Sequence, residues 1–129
     1  MKLIRAMIRP EREESVVDEL ERAGIVSLTK MDVLGRGQQR GIQVGATIYD
    51  ELPKVQLLLI VEDAKVSAAL AAIEAGAKTG QHGDGKIFIS PVEAAYTIRT
   101  GQRVEEAAPP PPASPSEALP SARQAGQTA

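Results

Sequence analysis

With 129 residues the chain has room for one domain, and its 15 Lys and Arg against 17 Asp and Glu give a formal charge of −2. So even a balance makes no case for a nucleic-acid or acidic-membrane surface, and 2% aromatic content leaves little to stack on bases. There is no cysteine, hence no disulfide framework or thiolate metal site, and no apolar run approaches the roughly 18 residues of a membrane span.

The opening MKLIRAMIRP reads as a strand rather than a signal peptide, so a soluble cytoplasmic protein without membrane insertion is expected. From Lys2 to Arg9 the residues alternate, with Ile4, Ala6 and Ile8 on one face and Leu3, Arg5, Met7 and Arg9 on the other. Pro10 suits a helix start, and Glu11, Glu13 and Glu14 crowd the first turn, where the helix dipole favours acids. Val16, Val17, Leu20 and Ala23 follow at helical spacing, and Gly24 is placed to stop the helix. The acid-rich stretch Glu11 to Glu21 is read as its solvated face. A second strand is expected over Ile25 to Leu34, then a long loop, then a nearly continuous apolar strand over Val55 to Val61. Asp63 is placed to cap a second helix whose stripe is Val66, Ala69, Leu70, Ile73 and Ala77, with Gly76 near its end. Lys86 to Ser90 reads as a fourth strand closed by Pro91.

From about Glu105 onward Ala, Pro, Ser and Gln dominate, with four consecutive prolines at Pro109 to Pro112. Such a segment has almost no apolar surface to offset its ordering entropy. It is expected to be a disordered tail over 105–129 with polyproline II character, after a folded domain over 1–104. The tail is read as a passive extension, its prolines offering a second reading as a partner contact. The element order β-α-β, long loop, β-α-β predicts an α+β, ferredoxin-like double βαβ fold with an antiparallel sheet and both helices on one face. Leu3, Met7, Leu57 and Leu59 are expected on the uncovered face, where self-association would bury them.

Two glycine-bearing segments carry the chemistry. Gly35-Arg36-Gly37-Gln38-Gln39-Arg40-Gly41 opens a connection ending near Leu52-Pro53-Lys54, longer than a compact domain keeps without a function. Its glycines let backbone N–H groups approach an anion, and Arg36, Arg40 and Lys54 add positive charge; a solvated hairpin is the plainer reading. Within the second, Thr79 to Ile89, Gly80 to Lys86 spells G-x-x-x-x-G-K, the start of a P-loop. Ile87 stands where a P-loop has Ser or Thr, and the residues after Lys86 alternate as a strand rather than a helix. A turn of this kind can still cradle phosphate beside Lys86; an ordinary turn with positive-φ glycines is the alternative. Arg99 and Arg103 lie where they could reach a neighbouring subunit's cleft. His82, the lone histidine, reads as a solvent-facing loop residue, and Met7 as packing.

The run TGQHGDGKIFISPVEAAYTIRTG, with GRGQQRG and LPK upstream, resembles the signature segments of the PII signal-transduction family over Met1 to about Gln102. That resemblance implies a homotrimer, or a trimer mixed with a second PII-like protein, binding ATP or ADP in each inter-subunit cleft. It implies that Gly35, Gly37, Gln38, Gln39, Gly83, Asp84, Gly85, Lys86 and Arg99 surround the nucleotide, with Thr29 near the base. The match of Gln39 would ligate Mg2+ bridging the phosphates and 2-oxoglutarate. Lys54 would pair with a 2-oxoglutarate carboxylate, and backbone groups around Gly37, Arg40 and Gly41 would complete that pocket. Family members usually carry a basic residue in place of Gln38 and an arginine in place of Thr97. The loop GIQVGATIYDELPK is short and lacks the apical tyrosine modified in many members; Tyr49 lies too close to the returning strand to substitute. In these features it is similar to the subgroup encoded beside nitrogenase genes, which holds nitrogenase inactive when fixed nitrogen is plentiful. The expected function is therefore a ligand-driven switch of loop 37–53 that docks on a target, nitrogenase first. An ammonium transporter, biosynthetic kinase or adenylyltransferase is the alternative target. A phosphate-ester hydrolase is the reading from another class, and the sequence offers it no nucleophile paired with a base.

Overall fold

The computed structural model describes residues 1–36, 42–49 and 51–105. The first strand, β1 (Lys2–Ile8), buries Ile4, Ala6 and Ile8 as its alternation predicts. Pro10 starts a single 3-10 turn, Pro10–Arg12, and the α-helix α1 (Glu13–Arg22) begins only after it. Gly24, at φ 82°, ends the helix. Its N–H reaches the Glu21 carbonyl at 2.9 Å, and the Ile25 N–H reaches Leu20 at 2.9 Å, the paired bonds of a Schellman stop.

That stop shortens the next strand. Because the Ile25 N–H is spent on the helix and its side chain turns into the core, β2 runs Thr29–Gly35 rather than from Ile25. The loop that follows contains its own hairpin, β3 (Ile42–Val44) paired with β4 (Thr47–Tyr49) around Gly45 at φ 62°. The next strand, β5 (Leu52–Val61), begins three residues before the expected Val55, because Val33, Leu34 and Gly35 pair with Lys54, Pro53 and Leu52. Pro53 is tolerated because β1 ends opposite Val55, leaving β2 as the only neighbour there among the described residues.

Asp63 does not cap the second helix. It opens a 3-10 turn, Asp63–Lys65, and its carboxylate takes the Met1 amino group at 2.7 Å; α2 (Val66–Ala77) follows, with Lys65 at its N-cap position and no side-chain cap. Ala69, Ala72, Ile73, Gly76 and Ala77 form its buried face, with Leu70 at the margin. The last strand, β6 (Lys86–Pro91), includes Pro91 at the end of its ladder with β1, opposite Lys2. A small exposed turn follows, closed by the Tyr96–Arg103 bridge.

The sheet order is β2-β5-β1-β6, all antiparallel, with α1 and α2 packed on one face, the ferredoxin-like arrangement. Register decides which β5 residues they cover. Leu57 and Leu59 sit opposite Ala6 and Ile4 and are 0% and 2% exposed, so they belong to the core and not to the open face as expected. A strand apolar on both faces carries no alternation from which its register could be read. The open face instead carries Leu3 and Met7, as expected, together with Leu58, Ile60, Met31 and Phe88, the last three 47%, 45% and 53% exposed. No helix among the described residues is long and apolar enough to cross a membrane.

Candidate functional site

Antiparallel pairing brings the end of β1, the start of β5 and the turn before β6 to one end of the sheet. Beyond the last β1 ladder partner, Ile8, stands Arg9, held extended at φ −66°, ψ 138° ahead of Pro10. The turn over 79–85 crosses directly above. Gly85, at φ 111°, passes so close to β1 that a Cβ would lie 1.7 Å from the Met7 carbonyl oxygen, so no other residue fits.

Asp84 organises this turn from within. Its carboxylate accepts the N–H groups of Thr79 and Gly80, each at 2.9 Å, the Thr79 hydroxyl, and Arg9 Nε at 3.2 Å. The Thr79 hydroxyl, then the backbone donors and Arg9, hold its carboxyl well below the usual carboxylate range. A carboxylate so fully engaged is a fixed anion that ties the turn together; it is not disposed to act as a proton acceptor.

Two cations grip the same turn from beneath. Arg9 Nη2 donates to the His82 carbonyl at 2.6 Å, and Lys54 Nζ donates to the Gly83 carbonyl. Partial burial, then the neighbouring Arg9 charge, lowers the Lys54 pKa. Gly35, at the end of β2, packs on the Lys54 stem, where a Cβ would be 3.3 Å from Cγ. Lys86 opens β6 opposite Met7 with its side chain exposed. His82 contributes its carbonyl, and its side chain is exposed as expected.

The structure thus brings together Gly35, Lys54, Gly83, Asp84, Gly85 and Lys86. Thr29 stands apart, opposite Leu58 further along β5. Arg99 lies in the exposed turn closed by Tyr96 and Arg103, beside Ile98, which is 100% exposed. Gly37, Gln38, Gln39, Arg40 and Gly41 lie outside the described residues, as does the tail from 106 onward. Sequence reasoning missed Arg9, which it placed on a strand face. The signal was Pro10, which holds the preceding residue extended just past the end of β1.

Chemically this is an anion-binding end. Arg9, Lys54 and Lys86 supply positive charge, the glycines supply approachable amides, and the one acid is saturated. No group of three His, Cys, Asp or Glu side chains suited to a metal occurs among the described residues.

The family described as "Nitrogen regulatory protein P-II" matches residues 1–102. The chain is 55% identical over 100 residues to "Nitrogen fixation nifHD region glnB-like protein 1" of Methanococcus maripaludis, covering 78% of this chain and 95% of the relative. It is 53% identical over 102 residues to "Nitrogen fixation nifHD1 region GlnB-like protein 1" of Methanosarcina barkeri, covering 79% and 97%. A more distant relative, "Nitrogen regulatory protein P-II" of Cereibacter sphaeroides, is 42% identical over 111 residues, covering 83% and 99%.

Proposed function

The chain belongs to the P-II family of nitrogen regulatory proteins, alongside its nitrogen-fixation-region members, and from that premise we propose that it senses ATP or ADP together with 2-oxoglutarate and reports them by docking its loop on nitrogenase. The observation that carries this reading is the meeting of Lys54 with the Gly83 carbonyl. It places the cation suited to a dicarboxylate against the glycine turn suited to phosphates.

In this reading the amides of Gly83, Asp84 and Gly85 and the Lys86 ammonium hold the nucleotide phosphates, and Gly35 closes the cleft floor. Lys54 pairs with a carboxylate of 2-oxoglutarate, and Gln39 would hold a Mg2+ ion, which would supply positive charge to offset the phosphates. Gly37, Gln38, Arg40 and Gly41 complete the pocket from the loop base. The chain works in the cytoplasm as a trimer, alone or with a second PII-like chain, in which Thr29 and Arg99 reach the cleft of a neighbour. The apolar open face around Ile60, Met31 and Phe88 supports association of this kind. ATP with Mg2+ and 2-oxoglutarate favours one state of loop 37–53 and ADP another, each by its differential contacts. Low 2-oxoglutarate leaves the loop competent to block nitrogenase, and high 2-oxoglutarate releases it. The nitrogen-fixation-region names of the relatives support nitrogenase as the target.

Isothermal titration tests the sensor. 2-Oxoglutarate should bind with Mg-ATP present and not without it; equal binding in both conditions overturns the coupling. Capture from nitrogen-fixing cells at low 2-oxoglutarate should recover nitrogenase subunits. Recovery of an ammonium transporter or an assimilation enzyme instead would keep the sensor and change its target.

A further inference from the structure

We infer that Arg9 is a positioning residue that presets the glycine turn for an anionic ligand by acting through Asp84 and the His82 carbonyl. One guanidinium joins two separate parts of the turn, Nε meeting the Asp84 carboxylate at 3.2 Å and Nη2 meeting the His82 carbonyl at 2.6 Å. The Arg9 and Asp84 side chains are only 21% and 24% exposed, so the pair is shielded enough for its geometry to matter. Gly83 lies against the guanidinium, where a Cβ would come 3.2 Å from Nη2; a side chain there would push the cation away.

The consequence for a ligand follows from peptide geometry. None of the described peptide bonds is cis, and in a trans peptide the C=O and N–H point in opposite directions. Arg9 draws the His82 carbonyl inward, so the N–H of the same peptide, on Gly83, faces outward. Lys54 does the same to the Gly83 carbonyl, which turns the Asp84 N–H outward. Neither N–H has a partner among the described residues. Two cations behind the turn therefore aim two free donors in front of it, as an incoming phosphate requires. Asp84 keeps Thr79 and Gly80 in register at the start of the turn, and Arg9 keeps Asp84 in place.

The role in nucleotide binding rests on the function proposed above, whereas the hold on the turn does not. The first readout is therefore ligand-free: amide hydrogen exchange in the full chain for Arg9→Met and Arg9→Lys. The Thr79 and Gly80 amides, which donate to Asp84, should exchange roughly tenfold faster in Arg9→Met, with exchange at the core residue Leu57 unchanged. Arg9→Lys, which keeps the charge but cannot span both acceptors, should fall between. It carries the comparison if Arg9→Met does not fold.

The second readout is ATP titration across the Arg9→Met and Asp84→Asn cycle. Affinity should fall about tenfold in Arg9→Met and by clearly less when the change is made in Asp84→Asn, where only the His82 contact is left to lose. Unchanged exchange at Thr79 and Gly80 overturns the inference. So does an equal loss of ATP affinity in both backgrounds, which would mean that Arg9 does not act through Asp84. A wild-type chain that ignores ATP would sink the nucleotide reading alone, and the exchange rates would still decide what Arg9 does.

Discussion

Gly76 of α2 rests directly on Val16 of α1, so close that a Cβ on Gly76 would lie 2.6 Å from the Val16 Cα and 2.8 Å from its N. Arg12 reinforces the crossing, donating from Nε to the Gly76 carbonyl at 2.8 Å. Helix propensity alone says that Ala at this position would stabilise by about 1 kcal/mol. Contact this close with backbone, which cannot swing aside, says the opposite, at about 2–3 kcal/mol, the upper part of the usual cost of overpacking. Gly76→Ala is therefore expected to destabilise by a net ~1–2 kcal/mol and to lower the melting temperature by several degrees. Thermal unfolding followed by circular dichroism measures it, and an unchanged or raised melting temperature would show that the two helices can separate at little cost.

The Asp84 knot predicts a pH dependence. Its carboxyl titrates lower in the folded chain than in the unfolded one, because the Thr79 hydroxyl and the backbone N–H groups favour the ionised form. The stabilisation is thus complete above the unfolded value of about 3.9 and is lost as the pH falls through the lower folded value. Urea unfolding of wild type and Asp84→Asn from neutral pH down to about pH 2 should show the wild type more stable at the top of this range, with the two curves converging at the bottom. A constant gap between them would mean that Asp84 acts through its shape and not its charge.

How much of this was legible in sequence depended on whether one signal acted alone. The alternation of β1 and the Gly24 stop act locally, and both were readable. Leu57 and Leu59 were misplaced because VQLLLIV is apolar on both faces, and only pairing with Ala6 and Ile4 chooses a side. Asp63 looked like a cap until the chain's own amino group, far away in sequence, took its carboxylate. The second glycine segment announced itself by composition. What composition could not show was that Gly85 must pass over the Met7 carbonyl, or that Arg9 and Lys54 lie beneath the turn, since both facts belong to the register of β1 between β5 and β6.

The Met1–Asp63 pair carries a prediction about the amino terminus. The amine sits 2.7 Å from the carboxylate, Lys2 Nζ lies 3.9 Å from the same oxygen, and the Met1 carbonyl accepts the Val92 N–H at 3.1 Å. The Met1 amine holds the Asp63 carboxyl below its ordinary range, so this contact also strengthens above the unfolded value of about 3.9. Acetylating the amine removes its charge, and Asp63→Asn removes the other. Each should lower the melting temperature by a small amount at neutral pH, and the two together should cost no more than one. Additive losses would show that the pair does not act as a unit.

Lys54 is a cation kept at some cost, and that separates its contribution to function from its contribution to stability. Burial and the adjacent Arg9 charge both lower its pKa, which means the folded chain binds this proton less tightly than the unfolded chain does. The sign is therefore opposite to that of Asp84: below the folded value the charge opposes folding, and the penalty is relieved as pH rises through the folded value toward the unfolded one, near 10.4. Lys54→Met keeps the stem that packs on Gly35 and removes the charge. Its melting temperature at neutral pH should equal or exceed that of the wild type, even though the hydrogen bond to the Gly83 carbonyl is lost. In the same variant, 2-oxoglutarate binding in the presence of Mg-ATP should disappear. A clear drop in stability would mean that the Gly83 hydrogen bond outweighs the electrostatic cost. Retained 2-oxoglutarate binding would remove Lys54 from the effector site.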